Sequence, residues 1–195
     1  MNTKALNEIR RRIGQFDYEL SNSGVMFPKM GIVIGGAFTV SDRDGNKEVY
    51  PNLITNQGLN QIINTMLPPG GAFAQITQWY IAPFSGNVTP DATWTAANFV
   101  ATATEFTAYA SPTRPALTIA AATTTQTNGN GAAPADITFS AGGPFNVYGA
   151  VILSVATKSS STGTMLAAAR FTNPRLSQAA PDKLTIQYDL TATST

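Results

Sequence analysis

Clusters of Gly, Pro, Asn and Ser divide the C-terminal half of this 195-residue chain into short β-favouring runs, which leaves room there for strands and tight turns but not for long helices. The turn-formers fall at 127–131, 141–144, 158–163 and 179–182, and the runs around them predict strands at 117–121, 136–140, 146–155, 165–171 and 183–190. In the last run Leu184, Ile186, Tyr188 and Leu190 alternate with Thr185, Gln187 and Asp189, the pattern of a strand with one buried and one wet face. The run 147–153 is apolar on both faces, so it predicts a central strand or one covered by another subunit.

Upstream, 31–40, the turn-formers at 41–46 and the returning 47–50 predict a β-hairpin with a Gly placed for positive φ. Leu59, Ile62, Ile63 and Met66 recur at i, i+3, i+4 and i+7, with Thr55 or Asn56 as N-cap and Pro68-Pro69-Gly70 as stop, which predicts an amphipathic helix. A strand at 78–82 and a single helical turn at 93–99 follow. The expected fold is mainly β: an antiparallel β-sandwich, jelly-roll-like, over residues 31–195, with one short helix and an N-terminal arm at 1–30.

In the arm, Leu6, Ile9, Ile13 and Phe16 are three, four and three apart and share one side of a short helix, weakened by Gly14. Arg10, Arg11 and Arg12 spread around that helix, and Glu8, Asp17 and Glu19 offset their charge. The four apolar residues and three arginines form the candidate partner-binding set, suited to a groove on another protein in preference to nucleic acid.

Composition removes most catalytic chemistry. The chain has no His and no Cys, which excludes Ser-His-Asp and Cys-His catalysis, the usual zinc sites and any disulfide. Twelve basic and 11 acidic residues leave a net charge of +1, too even for a protein that coats nucleic acid, and such neutrality favours association. No apolar run reaches the roughly eighteen residues of a membrane span, and the N-terminus is polar where a signal peptide is apolar, so synthesis in the cytoplasm is expected.

Between Glu48 and Arg114 the only charged residues are Asp91 and Glu105. A two-carboxylate glycosidase is the enzymatic use of such acids. The preferred expectation is structural, a turn acid after Pro90 and a core-edge carboxylate paired with Arg114. Residues 42–48 carry the alternating acids of a calcium loop, yet the closing acid would fall at Leu53 and two basic residues intervene, so a hairpin turn is expected. Trp79, Tyr80, Phe84, Trp94 and Phe99 suit a core, a carbohydrate platform or an interface, with the core as default. No metal or cofactor site is implied.

The series Asn52-Leu53-Ile54-Thr55-Asn56-Gln57-Gly58-Leu59, Gln78-Trp79-Tyr80-Ile81, Thr89-Pro90-Asp91-Ala92-Thr93-Trp94, Glu105 with Tyr109 and Arg114-Pro115, Val147-Tyr148-Gly149-Ala150 and Leu166-Ala167-Ala168-Ala169-Arg170-Phe171 resembles a group of small virion proteins of tailed bacteriophages, over residues 50 to 190. The resemblance implies a capsid cement or decoration protein with a β-sandwich or jelly-roll core and no active-site residues. The expected partners are the major capsid protein at the capsid surface and further copies of the chain, with no direct nucleic acid and no membrane. Similar sequences occur among tail and fibre-associated components, which makes a tail or fibre-attachment role the second expectation. A carbohydrate-binding or glycan-degrading module built on the Trp79 to Phe99 aromatics with Asp91 and Glu105 is the third.

Overall fold

The computed structural model describes residues 18–20, 26–28, 32–70, 73–122 and 127–194. The chain forms two units, a larger one of Ile34–Thr191 and a smaller one of Met1–Val33 with Ala192–Thr195. In the smaller, β1 (Tyr18–Leu20) and β2 (Met26–Pro28) pair antiparallel with Glu19 opposite Phe27. The predicted arm helix carrying Leu6, Ile9, Arg10, Arg11, Arg12, Ile13 and Phe16 lies outside the described residues.

The predicted hairpin is β3 (Ile32–Ser41) and β4 (Lys47–Pro51), with Ser41 opposite Lys47 and Gly45 at φ +84° in the turn. Then come β5 (Leu53–Ile54), α1 (Asn56–Met66), β6 (Tyr80–Phe84) and α2 (Ala96–Ala103). The chain continues through β7 (Thr127–Gly129), β8 (Ala135–Thr138), β9 (Phe145–Leu153), β10 (Met165–Gln178) and β11 (Lys183–Ser194). One sheet has the order β5-β10-β9-β6; the other runs β4-β3-β11-β7, with β8 also pairing β11. The architecture is the expected antiparallel β-sandwich.

Side-chain alternation places the core between the sheets. Leu184, Ile186 and Tyr188 of β11 and Phe38 and Val40 of β3 share one apolar cluster with Ile152, Ala167 and Phe171 of the opposing sheet. Tyr50 of β4 stacks on Phe171 of β10 with 4.8 Å between ring centroids, joining the two layers. The β5-β10-β9-β6 sheet is covered on its other face too, where Phe84, Val151, Leu153 and Ala168 pack with Trp94 and with Ala96, Phe99 and Ala103 of α2. This explains the run apolar on both faces: β9 lies between β10 and β6 and is buried front and back.

Four features differ from the expectation. Among the described residues there are two helices where the sequence predicts one and a single helical turn at 93–99, because Thr95 and Asn98 cap α2 reciprocally: Asn98 N–H donates to Thr95 Oγ1 at 3.2 Å and Thr95 N–H to Asn98 Oδ1 at 2.8 Å. Residues 117–121 form no strand, since Leu117 and Ala120 donate single backbone bonds to Trp79 and Gly129 without building a ladder. Residues 127–129, predicted as turn, become β7. Its pairing partner is Asp189 to Thr191, whereas β8 pairs Lys183 to Ile186, and buried Asn130 fills the interval by donating from Nδ2 to Ile186 O and accepting from Tyr188 N–H. Finally, β10 runs past its predicted end at 171 to Gln178, after a register shift against β9 between Arg170 and Arg175.

Helix α1 begins where predicted. Thr55 is its N-cap, accepting from Gly58 N–H at 3.0 Å while its hydroxyl donates to Met165 O at 2.7 Å. The helix rests on β10 through Gly58, where a Cβ would overlap the Leu166 carbonyl. Gly58 is the one buried residue of the helix, so most of the apolar stripe read from the sequence faces outward. In a solvent-exposed helix Gly→Ala stabilises by about 1 kcal/mol. Here the steric clash outweighs that gain: Gly58→Ala is expected to destabilise the protein by about 2 kcal/mol in chemical denaturation, and a stabilised variant contradicts this packing.

Candidate functional site

The acids of the neutral middle end in different environments. Helix α2 stops at Thr104, and the segment that follows lies along the outer edge of β6: Phe106 N–H donates to Pro83 O at 2.9 Å, Ile81 N–H to Pro115 O at 2.9 Å and Leu117 N–H to Trp79 O at 2.8 Å. Glu105 and Arg114 sit within it and face each other. Arg114 Nε and Nη2 donate to the two oxygens of Glu105 at 2.8 and 2.7 Å, and both side chains are fully buried. The guanidinium also donates to Val155 O and Ser160 O, and the Ser159 N–H, at φ +58°, donates to Glu105 Oε2 at 2.7 Å. The pairing is the one expected from the sequence; that it also ties 104–117 to the loop after β9 is seen only in the structure.

Lys158 and Tyr109 complete the cluster. Lys158 Nζ donates to the carbonyls of Thr107 and Tyr109, each at 3.0 Å, and lies 3.5 Å from the centre of the Tyr109 ring. Burial pulls the Lys158 ammonium below its ordinary pKa. Burial, then the Glu105 charge, push the Tyr109 phenol up. All three Glu105 contacts are donors from fixed groups, the arrangement of a structural ion pair.

Asp91 is an exposed turn acid after Pro90, also as expected. Its Oδ1 accepts from the Thr93 hydroxyl at 2.6 Å and the Thr93 N–H at 2.8 Å, and these bonds hold the carboxyl below its usual range. Asp42 caps the β3–β4 turn, accepting from the N–H groups of Asp44 and Asn46 and from Asn46 Nδ2. The Asn46 side chain contributes most to lowering the Asp42 pKa. The calcium-loop acids thus stabilise a hairpin, and among the described residues no group of three acids is arranged to hold a metal ion.

The aromatic run separates into two places. Phe84, Trp94 and Phe99 are buried and meet edge to face, with Phe84 at 5.8 Å from Trp94 and 6.4 Å from Phe99, so they fill the cluster under α2 and present no flat platform. Trp79 is half-buried and lines a groove beside α1. That groove encloses about 230 Å³ between Ile62, Thr65 and Met66 of the helix, Ile76 and Trp79 of the following segment, and Leu166 and Leu190 of the strands. Among the described residues, no charged side chain lines it. Next to it Leu59, Ile63, Met66 and Leu67 are 37, 56, 66 and 77% exposed. The sequence contains the clue to this face: the glycine inside α1 is where the helix must approach a backbone, which turns the larger side chains away.

Comparison with protein-family models gives no match, and comparison with curated proteins gives no significant relative.

Removing one member of the buried pair strands the other charge. Glu105→Gln is expected to destabilise the protein by about 3–5 kcal/mol in denaturant titrations, and an added Arg114→Met is expected to recover part of that loss. Additive effects of the two substitutions are incompatible with direct coupling.

Proposed function

We propose that this chain is a non-enzymatic structural protein of a tailed-phage virion, a cement or decoration protein that binds the major capsid protein at the capsid surface. The observation that carries the assembly part of this reading is the exposed apolar face of α1, held on a rigid sandwich through Gly58. Glu105 and Asp91, the acids a hydrolase would use, are engaged in fixing a loop and a turn. The placement on a phage head rests on the resemblance of residues 50 to 190. A preformed, uncharged apolar patch costs little ordering on binding, the property a permanent contact requires.

In this role the sandwich is the rigid body across a seam between capsomers, and the arm carrying Leu6, Ile9, Ile13 and Phe16 contacts the shell. Each contact is expected to bury on the order of 1,200–2,000 Å². An arm and a body on one chain make the second contact effectively intramolecular, so modest contacts give durable attachment.

Deleting residues 2–28 is expected to abolish addition of the purified protein to preformed shells while thermal unfolding of the body is retained. Cosedimentation with shells lacking the protein measures this, and undiminished binding by the truncated chain refutes the assignment of the arm.

A further inference from the structure

We infer that the α1 face is a homodimer interface, in which two copies meet helix to helix about a two-fold axis passing near Ile63. Leu59, Ile63 and Met66 fall at i, i+4 and i+7 and form one exposed ridge along a helix about 16 Å long. With Ile63 at the axis, an antiparallel pair places Leu59 of one copy against Met66 of the other, and Ile63 against itself. The apolar groove beside the ridge, lined by Ile62, Ile76 and Trp79, offers the depression into which ridge side chains of the second copy fit.

The absence of charge favours a second copy. A two-fold contact sets each surface against itself, so any charge near the axis meets its own sign. No charged residue occurs between Glu48 and Asp91, a stretch that contains the whole of α1 and the segment beside it. The polar residues of the helix are Asn, Gln and Thr, each both donor and acceptor, and such groups pair with their own copies at no electrostatic cost. A membrane surface is a poor match, because helices that lie on lipid carry Lys and Arg along the polar face and α1 has none. A charged protein surface would likewise find nothing on α1 to complement it.

The inference deepens the assembly reading and rests on it for its biological meaning, yet it is tested without shells, so the two fail separately. The full-length protein is examined by sedimentation velocity across a micromolar concentration series, with Ile63→Lys and Ile63→Glu as separate variants. Ile63 is exposed, so both variants should keep the wild-type melting temperature and near-ultraviolet circular dichroism. Wild type is expected to sediment as a dimer, each variant alone as a monomer with dimerisation weakened by at least about tenfold, and an equimolar mixture of the two as a dimer again. A wild-type monomer at all concentrations overturns the inference, as do variants that dimerise normally or a mixture that stays monomeric. Loss of the dimer on deletion of residues 2–17 would place the arm in the interface and overturn it equally. If Ile63→Lys abolished shell binding by a wild-type protein that is itself monomeric, the occupant would be the capsid protein and the inference would fail.

Discussion

The β5-β10-β9-β6 sheet is covered on both faces, by the opposing sheet on one side and by α2 on the other, and the layout of the molecule follows from that requirement. Two layers approach one sheet closely only where its side chains are small. Strands β9 and β10 supply Gly149, Ala150, Ala167, Ala168 and Ala169 at these positions. At Gly149 a Cβ would overlap both the Phe84 ring and the Ala169 carbonyl, so the absence of a side chain there lets an aromatic ring lie against the backbone. The Ala and Gly residues of these strands are the means by which three layers pack.

Covering a sheet front and back leaves its edges to be closed. Segment 104–117 closes the β6 edge, and Pro83 on that strand has no N–H to offer a neighbour. The Glu105–Arg114 pair fixes this segment. A buried ion pair adds little net stability compared with apolar packing, but it penalises arrangements that leave either charge alone. Because the only other charged residue from 49 to 113 is Asp91, that penalty specifies one path for this stretch of chain, with the Ser159 N–H and the carbonyls of Val155 and Ser160 fixing where the pair sits.

Much of this was legible in the residues. The hairpin around Gly45, the N-cap at Thr55, the alternation of β11, the doubly buried β9 and the pairing of Glu105 with Arg114 each follow from short-range pattern or from charge scarcity. What was hidden depends on contacts between distant segments. β7 looks like a turn because Asn128 and Gly129 favour turns, and it becomes a strand because β11 presents a free ladder edge and Asn130 completes the pairing. The second helix resembles a single turn in sequence, since residue N3 of its capping box is Asn where Glu or Gln is the usual signature. The outward face of α1 was missed because helical periodicity reports which residues share a side and is silent on which side packs. Only the glycine within the helix hinted at the answer.

Glu105 is fixed in a buried ion pair and Asp91 in a surface turn, while α1 displays an uncharged apolar ridge. We propose on this basis, and on the resemblance of residues 50 to 190, that the chain serves as a building part of a phage head. The most direct measurement is the number of copies per purified particle, quantified by mass spectrometry against the major capsid protein. A ratio comparable to that of the shell subunit is predicted, whereas absence from mature particles, or a few copies confined to the tail, would contradict it.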